Sequence, residues 1–206
     1  MKRLRKKYGA GIRYLHCGEY GDKDRRPHYH ACIFGWEPAD KVLWKIINGN
    51  PLYISKILQK VWGLGFCSVG ALTYQSAAYV ARYNLKKVTG KNAENHYTWA
   101  DRYTGEIHEH VPEYATMSRR PGLGSGWYLK FRNDVYPGDF VITKGKKAMP
   151  PKYYDKMEDK YNAEEMERTR AARVNNAEAR AHDNTEARLK VREKVKLEQL
   201  KQLKRE

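Results

Sequence analysis

The fold is decided by residues 11–34, which read G-I-R-Y-L-H-C-G-E-Y-G-D-K-D-R-R-P-H-Y-H-A-C-I-F. Two segments of this stretch, Gly11 to Cys17 and Pro27 to Phe34, are rich in β-branched and aromatic residues, which favour strands. The polar, glycine-containing segment Gly18 to Arg26 between them predicts a hairpin loop. We therefore expect two adjacent antiparallel strands.

Three segments further along the chain predict more elements of the same domain. Leu52 to Leu64 has apolar residues at helical spacing and contains Gly63 near its end, so we expect an amphipathic helix. Phe66 to Leu72 predicts a third strand, and Gln75 to Lys87 predicts an alanine-rich helix. The sequence therefore predicts an α+β fold in which helices pack on an antiparallel sheet.

Composition divides the 206-residue chain near Pro150-Pro151. All 16 Gly, all eight Pro and all five Trp lie at or before Pro151. The remainder consists largely of Ala, Glu, Arg and Lys, which are good helix formers and predict one or two long helices. We expect a domain over residues 1–150 and a charged helical tail over residues 151–206.

The charge and the cysteines limit the function. The net charge is +16, and +13 of it belongs to residues 1–151, so a polyanionic partner is expected. An aromatic content of 12% excludes a wholly disordered basic chain. The three cysteines are far apart and include no C-x-x-C pair, which fits a reducing cytoplasm and argues against a disulfide framework. No apolar run is long enough to span a bilayer, so we expect no membrane partner.

His28 and His30 flank Tyr29 in the second predicted strand. Because side chains alternate along a strand, the two histidines point to one face about 6.6 Å apart, within joint reach of one metal ion. Glu19 lies just before the predicted loop, and the chain reversal brings its carboxylate beside them. These three side chains form a candidate divalent-metal site with open positions for water or phosphate. Ordinary surface histidines and a solvated loop carboxylate explain the same pattern.

Tyr79 and Tyr83 are four residues apart in the predicted helix, which stacks them on one face with Cβ atoms about 5–6 Å apart. Three cationic residues follow in the same turns: Arg82, Lys86 and Lys87. A nearby cation stabilises a developing phenolate, whose ordinary pKa of about 10 makes tyrosine a poor nucleophile at neutral pH. The alternative is a pair of packing tyrosines, since the chain has 16 of them.

Four stretches of this sequence together resemble a known family. They are H-C-G-E-Y-G (16–21), R-P-H-Y-H-A-C-I-F-G (26–35), A-A-Y-V-A-R-Y-N-L-K-K (77–87) and M-S-R-R-P-G-L-G (117–124). In this order they resemble the HUH endonucleases, which start rolling-circle DNA replication. Within that superfamily they resemble the replication initiators of microvirus-group phages (Microviridae), particularly the gokushovirus type. The resemblance covers roughly residues 1–145.

The resemblance implies a metal-dependent enzyme that nicks and rejoins single-stranded DNA. By position, His28, His30 and Glu19 would hold Mg²⁺ or Mn²⁺. Tyr79 and Tyr83 would be the nucleophiles, and each cut would leave a 5′-phosphotyrosyl link and a free 3′ hydroxyl.

The cationic residues are assigned to two roles. Lys86 is expected to assist catalysis, because it shares a helical face with Tyr83. The residues expected to contact DNA are Arg82, Lys87, Arg119 and Arg120. The last two belong to a glycine-containing cationic loop, S-R-R-P-G at residues 118–122, which is also compatible with an ordinary solvated loop.

The expected partner is the single-stranded DNA of a phage replication origin, in the cytoplasm of a bacterial host cell. No G-x-x-x-x-G-K-[ST] motif occurs in the sequence, so unwinding would come from a host helicase, alongside a host polymerase. HUH domains normally begin with an apolar strand, whereas here only the basic stretch Met1 to Gly9 precedes the first predicted strand. The chain is therefore expected to be N-terminally shortened, with one sheet strand missing.

Two other classes of function remain open from the sequence. One is a non-catalytic basic protein that binds single-stranded nucleic acid through stacking and charge. The other is an HUH transposase or relaxase, which would share the chemistry but not the biological role. Metal-dependent cleavage of DNA separates the first class from an initiator.

Overall fold

The structure is a computed structural model that describes residues 1–21, 26–101 and 103–202, with all side chains in these ranges except those of Asn84 and Leu85. Its helices are α1 (Lys2–Tyr8), α2 (Lys56–Trp62), α3 (Tyr74–Arg82), α4 (Ala93–Tyr97), α5 (Ser125–Val135), α6 (Lys152–Tyr161), α7 (Ala163–Ala179) and α8 (Glu186–Lys201). Its strands are β1 (Arg13–Tyr20), β2 (Pro27–Phe34), β3 (Val42–Ile47), β4 (Asn50–Ile54), β5 (Val69–Gly70), β6 (Thr98–Ala100), β7 (Ile107–Glu109), β8 (Tyr114–Met117), β9 (Val141–Thr143) and β10 (Lys146–Ala148). Single 3-10 turns cover Tyr83–Lys86, Gly90–Asn92 and Ala181–Asp183. The predicted α+β class is confirmed.

The chain forms two compact units, Met1–Leu123 and Gly124–Glu206. The change of composition at Pro150-Pro151 lies inside the second unit. All of the candidate site residues lie in the first unit. None of the described helices is both long and apolar enough to cross a membrane.

The first unit contains an antiparallel sheet with the order β2-β1-β8. The hairpin of β1 and β2 was predicted, and β2 has the predicted bounds. Strand β1 is longer than predicted, because Gly18, Glu19 and Tyr20 continue its pairing with β2 and do not belong to the loop. Residues 22–25 of the predicted loop lie outside the described residues.

A second sheet in this unit, with the order β3-β4-β5, was missed by the sequence analysis. The predicted helix over Leu52–Leu64 is wrong in its first turn, since residues up to Ile54 belong to β4. The helix begins only after Ser55, whose hydroxyl caps it by accepting a hydrogen bond from the Leu58 amide at 3.0 Å. The predicted strand over Phe66–Leu72 is also too long, because only Val69–Gly70 pairs with β4.

The helix predicted over Gln75–Lys87 is present, but its last turn is a 3-10 helix and not an α-helix. Helix α3 ends at Arg82, and the chain continues as one 3-10 turn over Tyr83–Lys86. The start of α3 is fixed by a capping box, in which Thr73 and Ser76 each accept a hydrogen bond from the other's backbone amide. Helix α3 packs against β1 and β2, which places its inner face on the sheet.

The second unit has its own small core. Four buried side chains form it, namely Tyr128, Val135, Tyr136 and Met166. The tail was predicted to form one or two long helices, whereas the described part of it forms three, α6 to α8. Helix α8 has no buried residue among those described, as expected for a solvated charged helix.

Candidate functional site

The pairing of β1 and β2 places the predicted ligands on one face of the sheet. Glu19 is the cross-strand partner of His28, and Cys17 is the partner of His30. Directly opposed residues in an antiparallel pair point to the same side. That side faces α3, where the Cys17 thiol donates a hydrogen bond to the Val80 carbonyl oxygen at 3.6 Å.

The Glu19 carboxylate lies on this face and is only 5% exposed. Its Oε1 atom lies 3.2 Å from Nε2 of His30, and its Oε2 atom lies 2.5 Å from Nζ of Lys86. The Lys86 side chain is itself largely buried. A buried carboxylate with two such partners is held in one position, because losing either partner would leave charge in a low-dielectric environment.

The His30 ring is half-buried between Glu19 and the tyrosines. Burial lowers the pKa of His30 from its ordinary value, and the hydrogen bond to Glu19 opposes this shift only in part. The ring is therefore neutral at pH 7. A neutral imidazole has one nitrogen that can accept a hydrogen bond or bind a metal ion.

The two tyrosines of α3 and the following turn meet this histidine directly. The Tyr83 ring stacks on the His30 ring with centroids 4.1 Å apart and planes 11° apart. The Tyr79 and Tyr83 rings meet edge to face at 5.1 Å, and the Tyr83 hydroxyl donates a hydrogen bond to the Tyr79 hydroxyl. The histidine motif and the tyrosine motif, which are far apart in the sequence, therefore form one cluster.

The environments of the two tyrosines differ. Tyr83 is 3% exposed, and burial, together with its hydrogen bond to Tyr79, raises the pKa of its phenol well above the ordinary value. Tyr79 is partly exposed. The Tyr79 hydroxyl is thus the more accessible of the two to a substrate.

Two of the predicted cations lie against these rings. The Arg82 guanidinium carbon is 5.6 Å from the centroid of the Tyr79 ring, and Nζ of Lys86 is 5.3 Å from that of Tyr83. The buried Nε of Arg82 has no hydrogen-bond partner among the described residues. Lys87 is exposed just beyond the 3-10 turn.

The site supplies only part of a metal-ligand set in this arrangement. Within the described ranges, no group of three His, Cys, Asp or Glu side chains is close enough to hold an ion. The donor types nevertheless fit a divalent ion, since carboxylate oxygens and imidazole nitrogens both bind such ions, and Oε1 of Glu19 and Nε2 of His30 already lie within hydrogen-bond distance of each other. His28, the cross-strand partner of Glu19, is exposed on the same face of the sheet.

Gly21 is a residue of this site that the sequence analysis missed. A Cβ atom at Gly21 would lie 2.7 Å from Cε1 of His28, so any larger residue would have to displace that ring. The signal was the second glycine of H-C-G-E-Y-G, which was assigned to a loop. Its close approach to His28 depends on the pairing of β1 with β2, which spacing alone does not give.

Arg119 and Arg120 do not join this cluster. They lie in the turn after β8, and Ser118, next to them, hydrogen-bonds the backbone of Tyr14 near the start of β1. Glu19 is near the end of β1. The five residue-to-residue steps from Tyr14 to Glu19 correspond to about 17 Å along a strand.

Comparisons with known proteins find similarity to phage replication-associated proteins. Residues 1–88 match the family model of the replication-associated protein ORF2. The chain is 30% identical over 164 residues to the replication-associated protein VP4 of Bdellovibrio phage phiMH2K, an alignment that covers 75% of this chain and 48% of that protein. It is 35% identical over 153 residues to the replication-associated protein ORF2 of Spiroplasma virus 4, covering 71% and 43% of the two chains.

A third relative aligns with a larger share of this chain. The replication-associated protein ORF4 of Chlamydia phage 1 is 29% identical over 176 residues, covering 81% of this chain and 41% of that protein. The chain thus spans less than half the length of each of these three relatives. No solved structure is significantly similar to it.

Proposed function

This chain belongs to the microvirus-type replication-associated proteins, and we propose that it initiates replication of a single-stranded DNA phage genome by nicking one strand with a tyrosine. The observation that carries the proposal is the single cluster in which Tyr79 and Tyr83 share a hydrogen bond beside His30 and Glu19. This cluster combines candidate nucleophiles with candidate metal ligands.

In the proposed reaction, the hydroxyl oxygen of one tyrosine attacks the phosphorus of a phosphodiester. A bond forms between that oxygen and the 5′ phosphate, and the bond from phosphorus to the 3′ oxygen breaks. The tyrosine gives up its proton, and the departing 3′ oxygen takes up one. The phosphotyrosyl link conserves the phosphodiester bond energy, so the strand can be rejoined later by the reverse attack.

We assign the first attack to Tyr79 and the second to Tyr83. Tyr79 is the more exposed residue, and the hydrogen bond that it accepts from Tyr83 stabilises negative charge developing on its oxygen. The adjacent Arg82 guanidinium adds positive charge. Tyr83 is assigned the second attack because burial, together with the hydrogen bond to Tyr79, raises the pKa of its phenol.

We propose that His28, His30 and Glu19 hold a divalent ion, Mg²⁺ or Mn²⁺. When bound, the ion would polarise the scissile phosphate and offset the charge of its transition state. His30 is already neutral and Glu19 is already aimed at it, and His28 completes the donor set from the same face. The Lys86 ammonium contacts the second carboxylate oxygen of Glu19 and also lies close to the Tyr83 ring. Imidazole ligands favour Mn²⁺ in affinity, whereas Mg²⁺ is the more abundant ion.

The proposed substrate is single-stranded origin DNA in the cytoplasm of the bacterial host, and a host helicase and polymerase would act on the nicked product. Arg82, Lys87, Arg119 and Arg120 are the proposed DNA contacts. Because this domain has a net charge of +13, we expect it to bind the DNA strand without a divalent metal ion.

The test is covalent capture of DNA. The full chain is incubated with a labelled origin-type single strand and Mn²⁺, and a covalent adduct on Tyr79 or Tyr83 is expected by mass spectrometry. Replacing both histidines, His28→Ala with His30→Ala, should abolish Mn²⁺ binding and adduct formation while DNA affinity is largely retained. A parental chain that binds DNA but forms no adduct would favour the non-catalytic binding protein. A double histidine variant that still cuts would refute the metal assignment.

A further inference from the structure

A cationic cleft lies at the end of the sheet away from Glu19, where β1 begins and β8 ends. Its volume is about 550 Å³, and it is lined by Arg5, Tyr14, Met117, Ser118, Arg119 and Arg120. Three of the six lining residues are arginines and none is acidic. Clefts of this size hold a small-molecule ligand or part of a larger one.

The wall of the cleft is built from fixed groups. Nε and Nη2 of Arg5 both donate to the Ile12 carbonyl oxygen, at 2.8 and 2.7 Å, and Nη2 also donates to Oγ of Ser118 at 3.0 Å. The Arg5 guanidinium lies over the Tyr14 ring, 5.2 Å from its centroid. The two N–H groups on Nη1 form no hydrogen bond with the described residues, so they are available to a ligand.

Ser118 provides a second donor in the same wall. It is 7% exposed, and its Oγ accepts hydrogen bonds from Arg5 and from the Tyr14 amide at 3.1 Å. Neither bond uses the hydroxyl hydrogen, which has no acceptor among the described residues. A buried donor without an acceptor is costly unless a ligand or water satisfies it.

The rim of the cleft carries two positively charged side chains. Arg119 and Arg120 are exposed and form no ion pair with the described residues. Their loop is held in position, since Nη1 of Arg13 donates to the Arg120 carbonyl oxygen at 3.4 Å. Planar guanidinium groups with adjacent hydroxyl and N–H donors match the oxygens of a phosphate.

A row of rings leads away from the cleft along the sheet. Tyr14 stacks on His16 at 5.3 Å, and His16 meets Tyr114 edge to face at 5.6 Å. Tyr114 and Tyr29 lie over Gly18, where a Cβ atom would be 2.7 Å from the first ring and 3.3 Å from the second. Both rings are exposed, at 41% and 50%. Exposed rings next to phosphate donors are the elements with which proteins bind unpaired bases and the backbone between them.

We propose that this cleft binds a backbone phosphodiester of single-stranded DNA, at a subsite about 17 Å along β1 from the nicking cluster. Bases adjoining that phosphate would lie on the exposed rings of Tyr114 and Tyr29, which by strand alternation are on the sheet face opposite to the nicking cluster. The inference rests on the proposed function, because it assigns a second contact for the same substrate. It explains why Arg119 and Arg120 lie far from the tyrosines.

The test measures DNA affinity without a divalent ion, so that it does not depend on cleavage. Arg119→Gln with Arg120→Gln should weaken binding about tenfold or more, and should reduce the magnitude of the salt slope by about 0.7 for the lost phosphate contact. The matched control, Lys45→Gln with Lys91→Gln, removes the same charge from exposed positions of the same unit and should change affinity less than about threefold. Arg119→Lys with Arg120→Lys should also weaken binding, since lysine keeps the charge but not the bidentate geometry. Equal losses for the Gln and control pairs would refute the cleft.

The bound phosphate is located with a set of single-stranded oligonucleotides, each carrying one uncharged methylphosphonate. One position should weaken binding of the parental chain but not of Arg119→Gln with Arg120→Gln, and no position with this behaviour would refute the subsite. Inorganic phosphate that binds the parental chain as tightly as the dinucleotide pTpT would show a general anion site instead. A chain that forms the adduct but binds independently of these arginines contradicts the cleft alone. A chain that binds as expected but forms no adduct contradicts the proposed nicking alone.

Discussion

The two ends of strand β1 differ in whether charged side chains are paired with groups of opposite charge. At the end near Glu19, charges are buried and matched, since one carboxylate contacts Lys86 and the neutral His30. At the end near Tyr14, three arginines line an open cleft with no acidic residue. Matched buried charge gives a fixed geometry, which chemistry requires. Unmatched surface charge gives affinity for a polyanion. The proposed nicking cluster and the proposed DNA-binding cleft thus lie at opposite ends of strand β1.

The sharpest test of this separation is to remove both tyrosine hydroxyls. Tyr79→Phe with Tyr83→Phe should lower adduct formation by about three orders of magnitude or more, because no nucleophile remains. The rings are kept, so the free energy of unfolding should fall by at most about 1–3 kcal/mol. Of the single variants, Tyr79→Phe should lose more of the first cleavage.

The matched measurement is DNA affinity, which should stay at the parental value because the cleft is untouched. An adduct on the double variant, found by mass spectrometry on any other residue, would overturn the assignment of the nucleophiles. Affinity lost in parallel with cleavage would contradict the separation of the two ends.

A smaller effect is expected from breaking the charge matching at the Glu19 end. Glu19→Gln leaves the Lys86 ammonium in a buried environment without that carboxylate, and we expect the free energy of unfolding to fall by about 3 kcal/mol. The control is Glu186→Gln, which breaks an ion pair with Lys190 at 2.7 Å on the exposed surface of α8. It should change stability by no more than about 0.5 kcal/mol. Denaturant titration of the two variants gives the comparison, and equal costs would show that the Glu19 pair is no better shielded than a surface pair.

The smallest effect concerns Gly21, whose Cβ position is filled by the His28 ring. Gly21→Ala should displace that ring and weaken Mn²⁺ binding by about tenfold, the range for loss of a supporting contact around a metal site. Gly11→Ala is the control, because a Cβ atom there meets no other atom within 4 Å. Calorimetric titration with Mn²⁺ is the measurement. Unchanged binding would mean that the contact with Gly21 does not position His28 for metal binding.

The sequence predicted the strands and the helix that carry the candidate site residues better than it predicted the sheet around the second hairpin, for physical reasons. Alternation and strand-forming residues identified β1 and β2, and helical spacing identified α3 with its tyrosines. The helix expected from Leu52 was wrong because apolar residues of β4 continue without a break into α2, and only the capping hydroxyl of Ser55 marks the change. Strand β3 was missed because most of its large apolar side chains are exposed, so no buried face gives it a pattern.

Contacts between distant parts of the sequence could not be predicted in the same way. Lys86 was chosen for its spacing from Tyr83, but its ion pair with Glu19 exists only because α3 packs on β1. The role of Arg5 in the cleft depends similarly on α1, which the sequence analysis did not predict. Local sequence patterns indicate which residues share one face of a helix or strand, whereas tertiary packing decides which of these faces come into contact.

The capping box at Thr73 determines the rotational phase of α3. Successive residues of an α-helix are rotated by about 100°, so the residue at which the helix starts decides which side chains later point at the sheet. A single residue inserted between Ser76 and Tyr79 would turn both tyrosines by that angle while the cap stayed in place. The hydroxyls of Thr73 and Ser76 therefore determine the direction in which Tyr79 and Tyr83 point, although neither hydroxyl belongs to the proposed nicking cluster.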